Sequence, residues 1–178
     1  MVKFLKNQRG NAYIFLIIFI FAFIWISTLV IDYSNLNIQT KKIKYAMNRA
    51  VKAAALQIQE GNDGNLTEGE SLANGIFLID EEKAEEVFKD VLASNLGLDE
   101  VSLEPLENSV LYEKPIIREF EVINSYPSNY LSHVINQTYE IEHPSVVATL
   151  EFKVKSTFLV TDIQINKFSG SQLTSVYD

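Results

Sequence analysis

Two hydrophobic rhythms divide the chain. From Gly10 to Ile31 run 22 residues without a charge, nearly all apolar. As a helix rising about 1.5 Å per residue, this run covers roughly 33 Å, enough for a hydrocarbon core of about 30 Å. A cleavable secretory signal has an apolar region of only about 7–15 residues and a small-x-small cleavage site. The run is longer, is rich in Phe and Ile, and ends in "STLVID" with no Ala-x-Ala. It predicts a permanent transmembrane helix over residues 11–32, preceded by a basic tail or leader over 1–10. Arg9 and Tyr13 mark one membrane boundary and Asp32 and Tyr33 the other. The two tyrosines stand 20 positions apart, about 30 Å, which suits rings at the two interfaces.

Beyond Asp32 the rhythm becomes amphipathic. Ile43, Met47, Ala50, Ala54 and Ile58 recur at steps of four, three, four and four, one stripe of a helix. Neither Pro nor Gly intervenes before Gly61. One helix is therefore predicted over 11–60, with an Ala-rich stalk over 33–60. Its stripe packs on its own domain or forms a seam for neighbouring subunits or partner helices, and the two are compatible, since the membrane half can serve one and the upper half the other. On the second reading Ala54→Arg weakens association and leaves the outer domain folded. Gly61, Asn62, Gly64 and Gly69 then predict a hinge over 61–79.

The remainder, 80–178, reads as a small α+β domain. Ala84, Val87, Phe88, Val91 and Leu92 share one helical face, with Asp80 as N-cap and Gly97 as stop. "VATLEFKVKS" alternates as a half-buried strand, and "IIREFEVINS" and "STFLVTDIQIN" also read as strands. "VSLEPLE" and "NSVLYEK" are weaker strand candidates, and 124–144 reads as a loop or short helix. The expectation is one helix on an antiparallel sheet of four or five strands.

Charge changes the picture more than composition does. The net charge of −8 conceals a split. Residues 1–60 carry eight Lys/Arg against two acids, and residues 61–178 carry seven against 21. An outer domain so acidic repels phosphate backbones, which argues against a nucleic-acid partner. Lys3, Lys6 and Arg9 precede the span; Lys41, Lys42, Lys44, Arg49 and Lys52 follow it. Counted within 15–20 residues of the span ends, the two groups do not decide orientation. The short basic tail and Asp32 at the far end favour a cytoplasmic N-terminus and an extracytoplasmic domain.

Candidate chemistry is sparse. The chain has no cysteine, so disulfides, thiol nucleophiles and Cys-held metals are excluded. His133 and His143 lack any ligand spacing such as H-E-x-x-H, and no P-loop, G-x-G-x-x-G or G-x-S-x-G occurs. "GNDGNLTEGE" has the composition of a calcium loop without its order. No catalytic residue, cofactor or metal is expected, and the chain does not read as an enzyme.

Three elements in order resemble the TadE/TadG-like proteins of Tad (tight adherence) pilus assembly: Arg9-Gly10, Asp32-Tyr33 and "MNRAVKAAALQ". The resemblance covers the first third of the chain. It implies a pilin-like or pilus-assembly protein, with the lipid bilayer and other pilus subunits as partners. In family members cut by a prepilin peptidase, cleavage follows a Gly after a basic leader, here between Gly10 and Asn11. Phe15 stands where such signals carry Glu, which leans toward the uncleaved type. The alternative reading is a membrane-anchored module that recognises a ligand or partner.

Overall fold

A computed structural model describes residues 8–59, 78–156 and 162–173. Helix α1 spans Gln8–Ala55 without interruption, 48 residues and about 72 Å. No acidic side chain occupies its first turn, and Lys52 lies in its last, where a cation meets the negative end of the helix dipole. The helix stops five residues short of the predicted end. Leu56 and Gln57 close it with bonds back to the carbonyls of Ala53 and Ala54. The chain then turns extended, and Ile58 forms an antiparallel bridge with Ile79. Gln59 N–H donates to Leu78 O at 2.8 Å, and Asp80 N–H to Gln57 O at 2.7 Å. Ile58 thus sits in an isolated bridge and does not extend the helical stripe. Gly61, Asn62, Gly64, Gly69 and the calcium-like stretch lie outside the described residues, but both ends of that connection are tied together.

Helix α2, Glu81–Leu96, forms as its sequence predicts. Asp80 accepts from Lys83 N–H at 3.0 Å as the N-cap. Gly97 takes the left-handed conformation, φ 71°, and its N–H returns to Ala93 O. The buried face is Ala84, Phe88, Leu92, Ala93 and Leu96. Val87 and Val91 are only half-buried.

Among the described residues five strands follow: β1 Ile116–Ile123, β2 Ser128–Ser132, β3 Gln137–Ile141, β4 Ser145–Lys155 and β5 Asp162–Gln172. They form two antiparallel sheets, β1-β4-β5 and the hairpin β2-β3. The segment 124–144, expected as a loop or helix, supplies that hairpin. Asn136 sits in its turn at φ 51°, a conformation Asn tolerates. Residues 101–114 contribute no strand; an isolated Leu98–Pro105 bridge is all the pairing found there.

The α1 and α2 helices cover one face of the larger sheet, and the hairpin covers part of the other. Val146, Ala148, Leu150, Phe152 and Val154 of β4 join Phe88, Leu92 and the α1 stripe in the main core. On the opposite face Ile123, Ile141 and Val147 pack with Tyr130, Tyr139 and Phe168. The predicted alternation of β4 therefore becomes burial on both faces, and Thr149, expected outward, is fully buried. Gly170 is required for this layering: a Cβ there would stand 2.8 Å from the Tyr139 ring.

Candidate functional site

The side chains from Ala12 to Ile31 touch little else in the protein. Most are exposed, among them Phe15, Phe19, Phe21, Phe23 and Trp25. This is one helix long and apolar enough to cross a membrane by length and composition. So much bare apolar surface is costly in water and at home in lipid. Tyr13 and Tyr33, at 69% and 73% exposure, bracket the segment. Arg9, Gly10 and Asn11 lie within α1 as backbone; their side chains are outside the described set.

At the end of the apolar segment the exposed surface gives way to packing. Asp32, expected to mark the membrane boundary, is 1% exposed. Ser156 Oγ, one residue beyond β4, donates a short hydrogen bond to its Oδ2. A buried carboxylate needs such donors, because removing it from water is otherwise expensive. Helical spacing explains the placement: Asp32 and Leu36 lie on the same stripe as Ile43, Met47, Ala50 and Ala54. Those last four are 0% exposed and belong to the main core. The stripe packs against α2 and against β4 and β5, so it is an internal face of this domain and not a free seam. Further up, Ser169 Oγ on β5 donates to Asn48 Oδ1 at 2.7 Å, and Arg49 donates to Asn95 Oδ1 of α2 at 3.1 Å.

A second cluster holds the hairpin. Glu119 follows an irregularity in the β1–β4 register at Arg118. Its carboxylate accepts from Ser132 Oγ at 2.6 Å, from Thr149 Oγ1 in a short bond, and from the N–H groups of His133 (2.8 Å) and Val134 (3.3 Å). Burial pushes its pKa up, but the four hydrogen bonds outweigh it and the net shift is down. Arg118, displaced to the side, pairs with Glu151 at 2.7 Å. That bond, more than the charge itself, lowers the Glu151 pKa and raises that of Arg118. Beside them a groove of about 520 Å³ is lined by Glu119, Glu121, Asn129, Tyr130 and His133 among others. Burial, with Glu119 and Glu121 nearby, pushes the Tyr130 hydroxyl up to about 12, so it stays protonated at neutral pH. Arg118 and Glu119, two of the groove's charged side chains, are already engaged by the fold.

The histidines do not meet. His133 begins the β2–β3 turn. His143 precedes Pro144, accepts from Ser145 Oγ at 2.6 Å through its carbonyl, and places its ring 6.4 Å from that of Tyr126. Among the described residues no three His, Asp or Glu side chains converge as a metal site. Ser156, Glu119, Ser132 and Thr149 were not singled out from the sequence. Glu119 is one of 21 acids in its part of the chain, and no local pattern distinguishes it.

The chain matches no family model, and comparison with curated proteins and with solved structures finds no match.

Proposed function

We propose that this protein is a single-pass, membrane-anchored structural component of a Tad or type IV-like pilus or a related secretion assembly, resembling a minor pilin, and that it performs no catalysis. One observation carries the reading. A single unbroken helix, α1, has an exposed apolar lower half and an upper half built into the core of an α+β head. Such a rod transmits position: whatever fixes the lower half in lipid or among other apolar helices also fixes the head. The order Arg9-Gly10, Asp32-Tyr33 and the Ala-rich run adds the resemblance to TadE/TadG-like proteins. In this reading the N-terminus is cytoplasmic and the head lies outside.

The test is capture in native membranes. A photo-crosslinking residue at Phe19 or Ile26, both exposed, is expected to trap pilin-like or assembly-platform subunits, and loss of the protein to impair pilus assembly. Intact pili in its absence, with lipid as the sole crosslinking partner, reject the pilus role. The intact mass of the chain from membranes then distinguishes cleavage after Gly10 from a retained leader.

A further inference from the structure

Between Tyr33 and Gln59 the sequence contains five Lys/Arg and no acid. Because the apolar stripe is turned inward, all five are exposed: Lys41, Lys42, Lys44, Arg49 and Lys52. Together they occupy the solvent face of α1 from about 15 Å to 30 Å above Asp32. None of the four lysines has an ion-pair partner among the described residues. Tyr45 and Ile38, at 65% and 50% exposure, stand bare on the same face.

The opposite charge is displayed on α2. Glu82, Glu86 and Asp90 follow one another at steps of four, an outward row opposite the buried face. With Glu85, Glu100 and Val101 they line an open groove of about 510 Å³. The single cation there, Lys89, is already held by Glu85 at 2.6 Å, and Val101 is 95% exposed. Each surface thus offers bare apolar surface among charges mostly of one sign.

Among the described residues no ion pair joins these two surfaces within one molecule. They can meet between copies. The bond from Asp80 to Gln57 and that from Arg49 to Asn95 place α2 alongside the upper end of α1. The acidic row therefore stands at about the height of Lys52. A bilayer holds all copies in parallel and at one level, so equal height is a condition that lateral contacts must meet, and the upper end of the basic face, around Arg49 and Lys52, meets it.

We infer that the basic face of α1 docks on the acidic face of α2 of a second copy of this chain. The inference rests on the membrane-anchored part of the proposed function and not on the pilus role. The contact joins two different patches, so each copy leaves one of each free. Such a heterologous contact propagates into rows or rings and does not close as a two-fold dimer. Its strength falls with salt, since the charges lie at the surface.

The absence of native cysteine makes the test clean. Two tagged forms, Lys52→Cys and Glu86→Cys, are reconstituted together in phosphatidylcholine vesicles and oxidised. A disulfide between the two forms is expected, with far less between two copies of the same form. Next, on these cysteine backgrounds, one form receives Lys44→Glu and Arg49→Glu and the other Glu82→Lys and Asp90→Lys. Either reversal set facing an unreversed partner is expected to lower the yield about tenfold. Both reversal sets together restore it, which also shows that both forms are folded. A yield indifferent to reversal, or no recovery in the mixture, overturns the inference while leaving the anchor intact. Protein that remains outside the vesicles overturns the anchored reading as well.

Discussion

Glu119 shows how much one side chain can organise. Four donors from β2, the β2–β3 turn and β4 converge on its carboxylate, tying the hairpin to the sheet. Hydrogen bonds to a charged acceptor contribute more than neutral ones, so Glu119→Gln is expected to destabilise the head by about 2 kcal/mol in urea unfolding of the detergent-solubilised chain. The pH dependence has a definite sign. The folded pKa lies below the unfolded value of about 4.3, so the carboxylate's contribution is fully present above that value. It is lost as pH falls through the folded pKa, and the gap between wild type and variant should narrow when unfolding is repeated in acid. A gap that stays constant with pH denies the charged clasp. Ala54 makes a different point. A stripe read as small residues awaiting a partner is closed by the domain itself, and Ala54 is 0% exposed. Ala54→Arg is therefore expected to disrupt the core, by roughly 3 kcal/mol or more, and to abolish cooperative unfolding. That reverses the expectation that it spares the head. Residues such as Ala54 declare their face through periodicity, yet periodicity does not say what covers the face.

Among elements, the legible ones were those whose signals are local. Helix α2 announces itself through a capping aspartate, a 3.6-residue apolar face and a glycine stop, each of which needs only near neighbours. Gly97 has φ 71°, and a Cβ there would lie 3.2 Å from the Ser109 backbone. Gly97→Ala is expected to lower stability by about 1–2 kcal/mol, from the left-handed penalty plus that contact. Thermal unfolding followed at 222 nm checks it, and an unchanged midpoint counts against the cap. The less legible elements depend on distant partners. β4 alternates in sequence, but the hairpin covers part of its polar side, so Thr149 is buried beside Ser132, and Glu151 pairs with Arg118, neighbours that sequence spacing cannot bring together. That hairpin was hidden for a related reason. Tyr130, Leu131, Tyr139 and Ile141 mix with Ser, Asn and Thr in strands of five residues, too short for alternation to show. The end of α1 was misplaced because Gln57 and Ile58 fit a helix locally, while the pairing that pulls them extended comes from Leu78–Asp80 across an 18-residue connection.

At the scale of the molecule, the boundary between rod and head falls at Asp32 and not at the glycine-rich connection. Below it α1 is bare; above it the same helix supplies Ile43, Met47, Ala50, Val51 and Ala54 to the core. Removing those side chains would open the helix-facing side of β4 and expose Leu150, Phe152 and the buried face of α2, far more apolar area than a domain of this size can lose. The independently folding unit is accordingly expected to begin at about Asp32. A fragment beginning at Asp32 is expected to be soluble without detergent and to unfold cooperatively, with dispersed amide resonances. One beginning at Asp80, which keeps all five strands and α2, is expected to collapse or aggregate. Should the shorter fragment fold as well as the longer, α1 is merely a tether and the head is free to swivel on it. Because the upper helix is instead part of the core, tilting or rotating the membrane segment must carry the whole acidic head with it. In the proposed anchored role, an assembly would therefore set the orientation of the head through contacts made entirely within the lipid.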